Sequence, residues 1–459
     1  MTIKQNAVHT IFERMRACGS SPAIACGEKL LTYDEFLNEV ESWRSVLRQE
    51  KLGTGDIVAI YGDFLPGTAA LTFALIVENA IIVPLTAAVE KEAVSFLEIS
   101  GSRALFRFAP EGSWTLERLS PHAPDNELIV QFRQRHTPGL IVFTSGSSGK
   151  PKGILHDVER VMRKFVQPRK GWRTLLFLMM DHFGGFNTFL SSFAYGGMAI
   201  CVDERSPEAV CRAISQWRAN LLPTTPTFLN LLIASGSYRH ADLSSVELIT
   251  YGTEVMPAAT LERSKIVFPR ATLKQTYGLS ELGVLRSKSE SDDSLWVKIG
   301  GDGFEVRVKD NLLWIRSEAN MVGYLNAPSP FDEEGWFCTG DQVEVRGEYM
   351  RIIGRKSEMI NVGGQKVFPS EVENVIMTVG NIKEVTVYGA RHSLMGQVVM
   401  ARISLQTDEE DTAVKERIRK HCMANLAKYK VPIKFEIVNA DELRNDRFKK
   451  IRVSTNSPT

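Results

Sequence analysis

From Gly55 onward, short apolar runs alternate with stretches whose apolar residues recur at helical spacing. Ile57-Val-Ala-Ile-Tyr61 reads as a strand, residues 67–79 as a helix and Ile81-Ile-Val-Pro84 as the next strand. The rhythm continues with a strand at 140–144, a helix at 158–165, a strand at 175–179, a helix at 186–195 and a strand at 198–202. Ser206 opens a further helix, with Glu208 in its first turn and Val210, Ile214 and Trp217 on one face. Such alternation indicates βαβ units in largely parallel sheets, whose ligands gather at the carboxyl ends of strands.

Past Glu281 the pattern changes. Residues 295–323 alternate in the manner of antiparallel strands in a barrel or small sheet, and 343–353 reads as a hairpin turning at Arg346-Gly347-Glu348. From Lys356 a compact α+β pattern follows: a helix at 369–379, strands at 384–388 and 398–405, a helix at 412–426 and a last strand at 434–438. The expected fold class is α/β, with a large N-terminal domain of parallel-rich βα sheets plus a small barrel-like part, then a smaller α+β C-terminal domain. A length of 459 residues agrees with two or three domains. The change of texture near 355–357 divides the chain into 1–355 and 356–459.

Composition narrows the function classes. A hydrophobic content of 44% is ordinary for a globular protein, and a formal net charge of +1 gives no sign of a nucleic-acid or polyanionic partner. No apolar run approaches the roughly 20 residues that span a bilayer. The N-terminus lacks a charged-then-apolar leader pattern, and the six cysteines form no CxxC pair, so a reducing cytoplasmic setting is the expectation.

The most specific chemistry lies in Leu140-Ile-Val-Phe-Thr-Ser-Gly-Ser-Ser-Gly-Lys-Pro-Lys-Gly153. A buried strand feeds a loop of hydroxyls, glycines and two lysines, which suits phosphate because glycine admits close backbone approach and turned N–H groups form an anion nest. This is not a Walker loop, which needs four residues between its glycines and a Ser or Thr after the lysine. Here two residues separate Gly146 from Gly149, and Pro151 follows Lys150. Pro151 fixes φ, lacks an N–H and disfavours helix at Lys150, so the loop should not run straight into a helix.

Further blocks follow in order. Leu248-Ile-Thr-Tyr-Gly-Thr-Glu254 is a strand ending in a polar turn, and Gln275-Thr-Tyr-Gly-Leu-Ser-Glu281 joins an aromatic, a hydroxyl and a carboxylate. An aromatic face suits a purine, and Mg²⁺ favours a few carboxylates with phosphate oxygens. Trp336-Phe-Cys-Thr-Gly-Asp341 ends on a carboxylate able to accept two hydroxyls. Gly354-Arg355 and the run Ser357-Glu-Met-Ile-Asn-Val-Gly-Gly-Gln-Lys-Val-Phe-Pro-Ser-Glu-Val-Glu373 complete the series.

Together these blocks, spread over nearly the whole chain, resemble the adenylate-forming superfamily: acyl-CoA synthetases, peptide-synthetase adenylation domains and luciferases. The resemblance implies that Thr144, Ser145, Gly146, Ser147, Ser148, Gly149, Lys150 and Lys152 wrap the phosphates of ATP. It places Gly252, Thr253 and Glu254 beside adenine, stacks Tyr277 of Tyr277-Gly278 on the base, sets Ser280 on the α-phosphate and gives Glu281 a share of Mg²⁺. Asp341 would accept both ribose hydroxyls, with Arg355 adding a contact at the hinge of a mobile C-terminal domain. Gly363 and Gly364 match the site passed by the pantetheine arm of the thiol donor. Two departures stand out. Ser357 occupies a hinge position where the superfamily usually has Asp or Lys, and the C-terminus reads Asn445-Asp-Arg-Phe-Lys-Lys-Ile-Arg452 in place of Gly-Lys-(apolar)-x-Arg. Aligning on Arg452 selects Lys449 as the catalytic lysine, with Phe448 replacing the glycine; aligning on Ile451 selects Lys450. Lys449 is preferred.

Leu178-Met-Met-Asp-His-Phe-Gly-Gly185 resembles the (apolar)-His-x-Gly-Gly pocket block of CoA ligases that act on aryl or aliphatic acids. Amino-acid-activating domains usually carry an aspartate at the His182 position, and Asp181 in a strand ending would point the other way. The resemblance therefore implies ATP-dependent conversion of a carboxylic acid without an α-amine to acyl-AMP, then transfer to CoA or to the phosphopantetheine thiol of a discrete carrier protein. A nucleotide-binding protein with degenerate catalysis, given Ser357 and Phe448, and a luciferase-like oxygenase are the rival readings.

Overall fold

A computed structural model describes residues 6–120, 126–145, 150–292, 294–301, 303–445 and 450–452. In it the strand–helix alternation builds two sheets that share a layer of buried helices. One contains the strands Ile57–Tyr61, Ile81–Leu85, Ala104–Phe108 and Gly139–Ser145, mutually parallel, with antiparallel Trp114–Arg118 and Pro151–Asp157 on either side. The other runs through Thr272–Gln275, Leu248–Tyr251, Leu221–Thr224, Arg173–Leu175, Met198–Ile200 and Pro22–Cys26, all parallel. Between them lie the helices Tyr33–Gln49, Pro66–Val77 and Phe183–Ala194. Their aromatic side chains interlock, with Phe36 stacked 4.8 Å from Phe193 and Phe73 at 5.1 Å from Phe189. Burying each such ring is worth about 2–3 kcal/mol, so this layer is a main source of stability.

The helix Pro207–Trp217 begins as its pattern predicts, with the Ser206 hydroxyl accepting the Ala209 N–H and Glu208 in the first turn. The segment 175–179 behaves differently. Its strand spans Arg173–Leu175 and ends there, Leu176, Phe177 and Met180 are buried outside any strand, and the next helix starts three residues early at Phe183. An apolar run marks burial, and only pairing makes it a strand. Gly185 permits this arrangement, because a Cβ there would lie 1.9 Å from the Met179 carbonyl oxygen. Gly185→Ala should therefore lower stability by about 2–3 kcal/mol, measured by denaturant midpoint; an unchanged midpoint would show that this turn has room to give.

Beyond the motif at 277–281 an antiparallel sheet follows the order Ser287–Ser289, Val297–Ile299, Tyr349–Arg355, Phe337–Arg346, Leu312–Ser317 and Phe304–Lys309, which agrees with the barrel-like part expected. The strands Phe337–Arg346 and Tyr349–Arg355 form the expected hairpin, and Gly347 supplies the turn with φ 59°. The C-terminal region has its own core, built on Val372, Ile376, Val387, Ala401, Ile418 and Phe435. There the helix Pro369–Ile376 ends three residues before its predicted limit, while the long hairpin Ile382–His392 with Gly396–Leu405 exceeds its prediction at both ends of the first strand. Among the described residues no helix is long and apolar enough to cross a membrane.

Candidate active site

The strand Gly139–Ser145 leads into 146–149, expected to wrap phosphate, and the chain returns along Pro151–Asp157. That return strand pairs antiparallel with Gly139–Ser145, so the segment enters a strand and not a helix, in keeping with the expectation from Pro151. Thr144 and Lys152 face each other across the pair, and Lys150 is exposed at its mouth. Gly146, Ser147, Ser148 and Gly149 lie outside the described residues. Lys152 carries its ammonium 4.9 Å above the ring of Tyr324, whose hydroxyl donates to Glu281 Oε1 at 2.8 Å. The loop lysine and the predicted Mg²⁺ carboxylate are thus joined through one tyrosine. Among the described residues no three His, Cys, Asp or Glu side chains gather to hold a metal. A single carboxylate, tied through Tyr324 to Lys152, fits Mg²⁺ that takes its other ligands from phosphate and water.

The turn after Leu248–Tyr251 is tightly built. A Cβ at Gly252 would sit 2.7 Å from both oxygens of Thr276, and Thr253 adopts φ 70°. A non-glycine residue held there costs about 1–3 kcal/mol, which folds retain where geometry matters to function. Glu254 accepts from the Thr227 hydroxyl at 2.6 Å and from the Lys450 N–H at 2.9 Å, so the C-terminal segment reaches this turn.

Tyr277 and Asp341 meet although 64 residues separate them. The phenol donates to Asp341 Oδ2 at 2.5 Å, and Arg355 Nε stands 3.3 Å from Oδ1. Asp341 and Arg355 are register partners in the antiparallel hairpin, which explains the pairing. Burial pushes the Asp341 carboxyl up from its ordinary value, opposed by Arg355 and the Tyr277 hydroxyl. Burial and the neighbouring Asp341 push Tyr277 well above the usual phenol range, so its O–H stays a donor. Gly278 lies within the tight hairpin Tyr277–Leu279 with Gly283–Leu285, where a Cβ would approach Gly283 O to 2.8 Å.

His182 is the N-cap of Phe183–Ala194, with Nδ1 accepting the Gly184 N–H at 3.2 Å. Asp181 is buried and accepts from the Thr86 hydroxyl at 3.0 Å. It sits in a turn, so the strand-ending argument for its direction does not apply. Gly363 and Gly364 form the exposed turn between Ile360–Val362 and Gln365–Val367, beside Arg391, His392 and Met395. Lys449 lies outside the described residues, whereas the half-buried Lys450 places its ammonium 2.8 Å from buried Glu373, with Arg452 at 2.9 Å from the same oxygen. Burial raises the Glu373 carboxyl, but Arg452 and Lys450 outweigh it and hold the group at about 2. A separate cavity of about 620 Å³ between the helices Ala7–Ala17 and Tyr33–Gln49 contains none of the residues named for nucleotide.

Sequence reasoning did not single out Tyr324, Thr227 or the anchoring role of Glu373. Each acts through a contact distant in the chain, and only the glycine–tyrosine pair 323–324 after an apolar stretch offered any local signal.

Comparison with known proteins places these observations. The model of the AMP-binding enzyme family matches residues 11–325, and that of the AMP-binding enzyme C-terminal domain matches 371–449. The chain is 28% identical to an indoleacetate–CoA ligase of Aromatoleum aromaticum, covering 94% of this chain and 93% of that protein. It is 26% identical to a medium/long-chain-fatty-acid–[acyl-carrier-protein] ligase of Mycobacterium tuberculosis, covering 90% and 87%. An anthranilate CoA ligase solved with anthranoyl-AMP shares the fold at TM-score 0.82 and 20% identity, covering 98% of this chain and 96% of that one.

Proposed function

Because the chain belongs to the family of AMP-binding enzymes, we propose that it joins a carboxylic acid to a thiol through an acyl-adenylate. The observation that carries this reading is the buried Asp341 carboxylate, fixed between Tyr277 and Arg355 at the open end of the hairpin. A half-neutralised, oriented carboxylate is suited to accept the two ribose hydroxyls of a nucleotide.

In the first half-reaction a carboxylate oxygen of the acid attacks the α-phosphorus of ATP, and the bond to pyrophosphate breaks. The acid supplies the nucleophile, so the protein's task is positioning and charge compensation. Lys150 and Lys152, the hydroxyls of Thr144 and Ser145, and the segment 146–149 address the phosphates, and Ser280 the α-phosphate. Lys449 completes the cationic set. Glu281 would hold Mg²⁺, which supplies compensation for phosphate charge when bound. Gly252, Thr253, Glu254, Tyr277 and Gly278 form the adenine side. In the second half-reaction the C-terminal domain, residues 356–459, turns against 1–355 about Ser357. A thiol sulfur then attacks the acyl carbon past Gly363 and Gly364, its proton passes to solvent and AMP leaves. Coenzyme A is the proposed donor. His182, at the pocket block, supports an acid without an α-amine, and the relatives named above act on indoleacetate and fatty acids.

The test is ATP–pyrophosphate exchange over a panel of aryl, fatty and amino acids, followed by addition of CoA to any acid that supports it. Exchange with one acid and formation of its CoA thioester is the expected result. Exchange without CoA turnover would transfer the acceptor role to a carrier protein, and ATP binding without exchange by any acid would overturn the enzymatic reading. The two lysines separate cleanly. Lys449→Ala should lower exchange about hundredfold with little change in stability. Lys450→Ala, which removes a partner of buried Glu373, should cost about 1–3 kcal/mol of stability and change exchange less. A reversed pattern would assign the catalytic amine to Lys450.

A further inference from the structure

We propose that His156 is a positioning residue for this reaction: it orients the Ser280–Glu281 peptide and so sets the groups that address the α-phosphate and Mg²⁺. The inference rests on the functional reading of Ser280 and Glu281 given above.

His156 lies on Pro151–Asp157, the strand that leaves the phosphate loop, and is 0% exposed. Its Nε2 stands 2.6 Å from the Ser280 carbonyl oxygen, which makes Nε2 the protonated nitrogen and the donor. The ring lies 4.5 Å from that of Phe183. Nδ1 is buried without a hydrogen-bond partner. An unsatisfied buried acceptor costs about 1–3 kcal/mol, and a phenylalanine in this place would pack on Phe183 without that cost. Packing therefore does not account for an imidazole here, whereas its single N–H does.

The acceptor matters because of where it sits. The Ser280 carbonyl belongs to the peptide plane that links Ser280 to Glu281, so fixing its oxygen fixes that plane and the exit directions of both side chains. The same strand holds Glu281 a second time. Residues 152 and 156 share a face by the period of two, and Lys152 stands over Tyr324, which binds Glu281. Farther along the chain, Lys164 Nζ donates to the Val284 carbonyl at 3.3 Å. Basic side chains from one continuous segment thus tether the stretch from Ser280 to Val284 at both ends. Movement of the phosphate-loop strand is transmitted to the metal-binding carboxylate.

The experiment compares His156→Phe, His156→Gln and, as a packing control on the opposite strand face, Leu155→Val. Three quantities are read: melting temperature, the Mg²⁺ concentration giving half-maximal ATP–pyrophosphate exchange, and calorimetric affinity for ATP with and without Mg²⁺. His156→Phe should raise the half-maximal Mg²⁺ concentration and lower exchange, each about tenfold, since small misplacements at a reacting centre cost that much or more. It should weaken Mg²⁺–ATP binding while leaving metal-free ATP binding within about twofold. His156→Gln, whose amide can donate to the same carbonyl, should restore most of the loss. It also carries the test should the phenylalanine variant fail to fold. An unchanged Mg²⁺ dependence in both His156 variants overturns the inference, even if melting temperatures fall as in Leu155→Val. Wild-type protein that neither binds Mg²⁺–ATP nor exchanges with any acid overturns the functional reading itself, and the inference with it.

Discussion

Asp341→Asn is expected to lower ATP–pyrophosphate exchange about hundredfold or more while leaving the melting temperature nearly unchanged. Two hydrogen bonds to a charged acceptor are worth about 1.5–3 kcal/mol each, and the amide can accept at only one of its two atoms. Its nitrogen would also face a donor, because Tyr277 and Arg355 both donate to this group. That mismatch costs about 1–3 kcal/mol, which is offset because burial already works against the charge here and a neutral side chain of the same shape removes that penalty. A protein that keeps a costly carboxylate there is using it. Tyr277→Phe, which frees the carboxylate without deleting it, should show a smaller loss, about tenfold. Exchange at the wild-type rate in Asp341→Asn, with a folded protein, would refute the ribose assignment.

The second large effect concerns Glu373. Its carboxylate accepts the Val387 N–H at 2.9 Å and is paired with Lys450 and Arg452, all with 4% of its side chain exposed. Glu373→Gln should destabilise the C-terminal region by about 3–5 kcal/mol, because two cations lose their buried counter-charge. Exchange should fall about tenfold as residues 450–452 loosen beside Lys449. The pH dependence follows from the same group. Its folded value of about 2 lies below the ordinary 4.5, so its contribution is complete above pH 4.5 and lost as pH falls through about 2. The shift corresponds to about 3 kcal/mol. Glu384, raised by burial to about 7, has the opposite sign: the folded state holds its proton longer, and stability declines as pH rises from 4.5 to 7. The Glu373 window therefore lies below that of Glu384. The stability difference between pH 5 and pH 3, read from denaturant titrations, should be smaller in Glu373→Gln than in wild type. An equal difference in both proteins would remove Glu373 from the account.

Much of this was legible along the chain, for identifiable reasons. Ile57–Tyr61 and Ile81–Leu85 are short, wholly apolar and bounded by polar turns, so burial and pairing coincide and the strands could be read directly. Residues 176–182 defeated the same logic, since buried coil between Leu175 and Phe183 carries the apolar signature of a strand. Gly184 and Gly185 then disguised the first turn of the next helix, because glycine is a poor helix former chosen here for close approach. The N-terminal elements Ala7–Ala17 and Tyr33–Gln49 went unread beside the stronger alternation that follows. For the site, motif order named Tyr277, Asp341 and Arg355, yet no local pattern could say that the first two touch. Tyr324 and His156 were silent for the same reason: their roles are created by contacts across 43 and 124 residues.

The tail that carries Lys449 is held unequally at Lys450. Its ammonium is locked into the C-terminal region by a buried ion pair, while its N–H makes a single bond to Glu254 on the large domain. In the proposed cycle, a turn of the C-terminal region would part the weaker link and carry the tail with the stronger. The stroke proposed to present the thiol would then also withdraw Lys449 from the adenylate. Pyrophosphate returning at that moment would meet an acyl-AMP without the cation proposed to aid its formation and reversal. The anchor would thereby act as a pawl, letting the cycle advance to the thioester and blocking the step back.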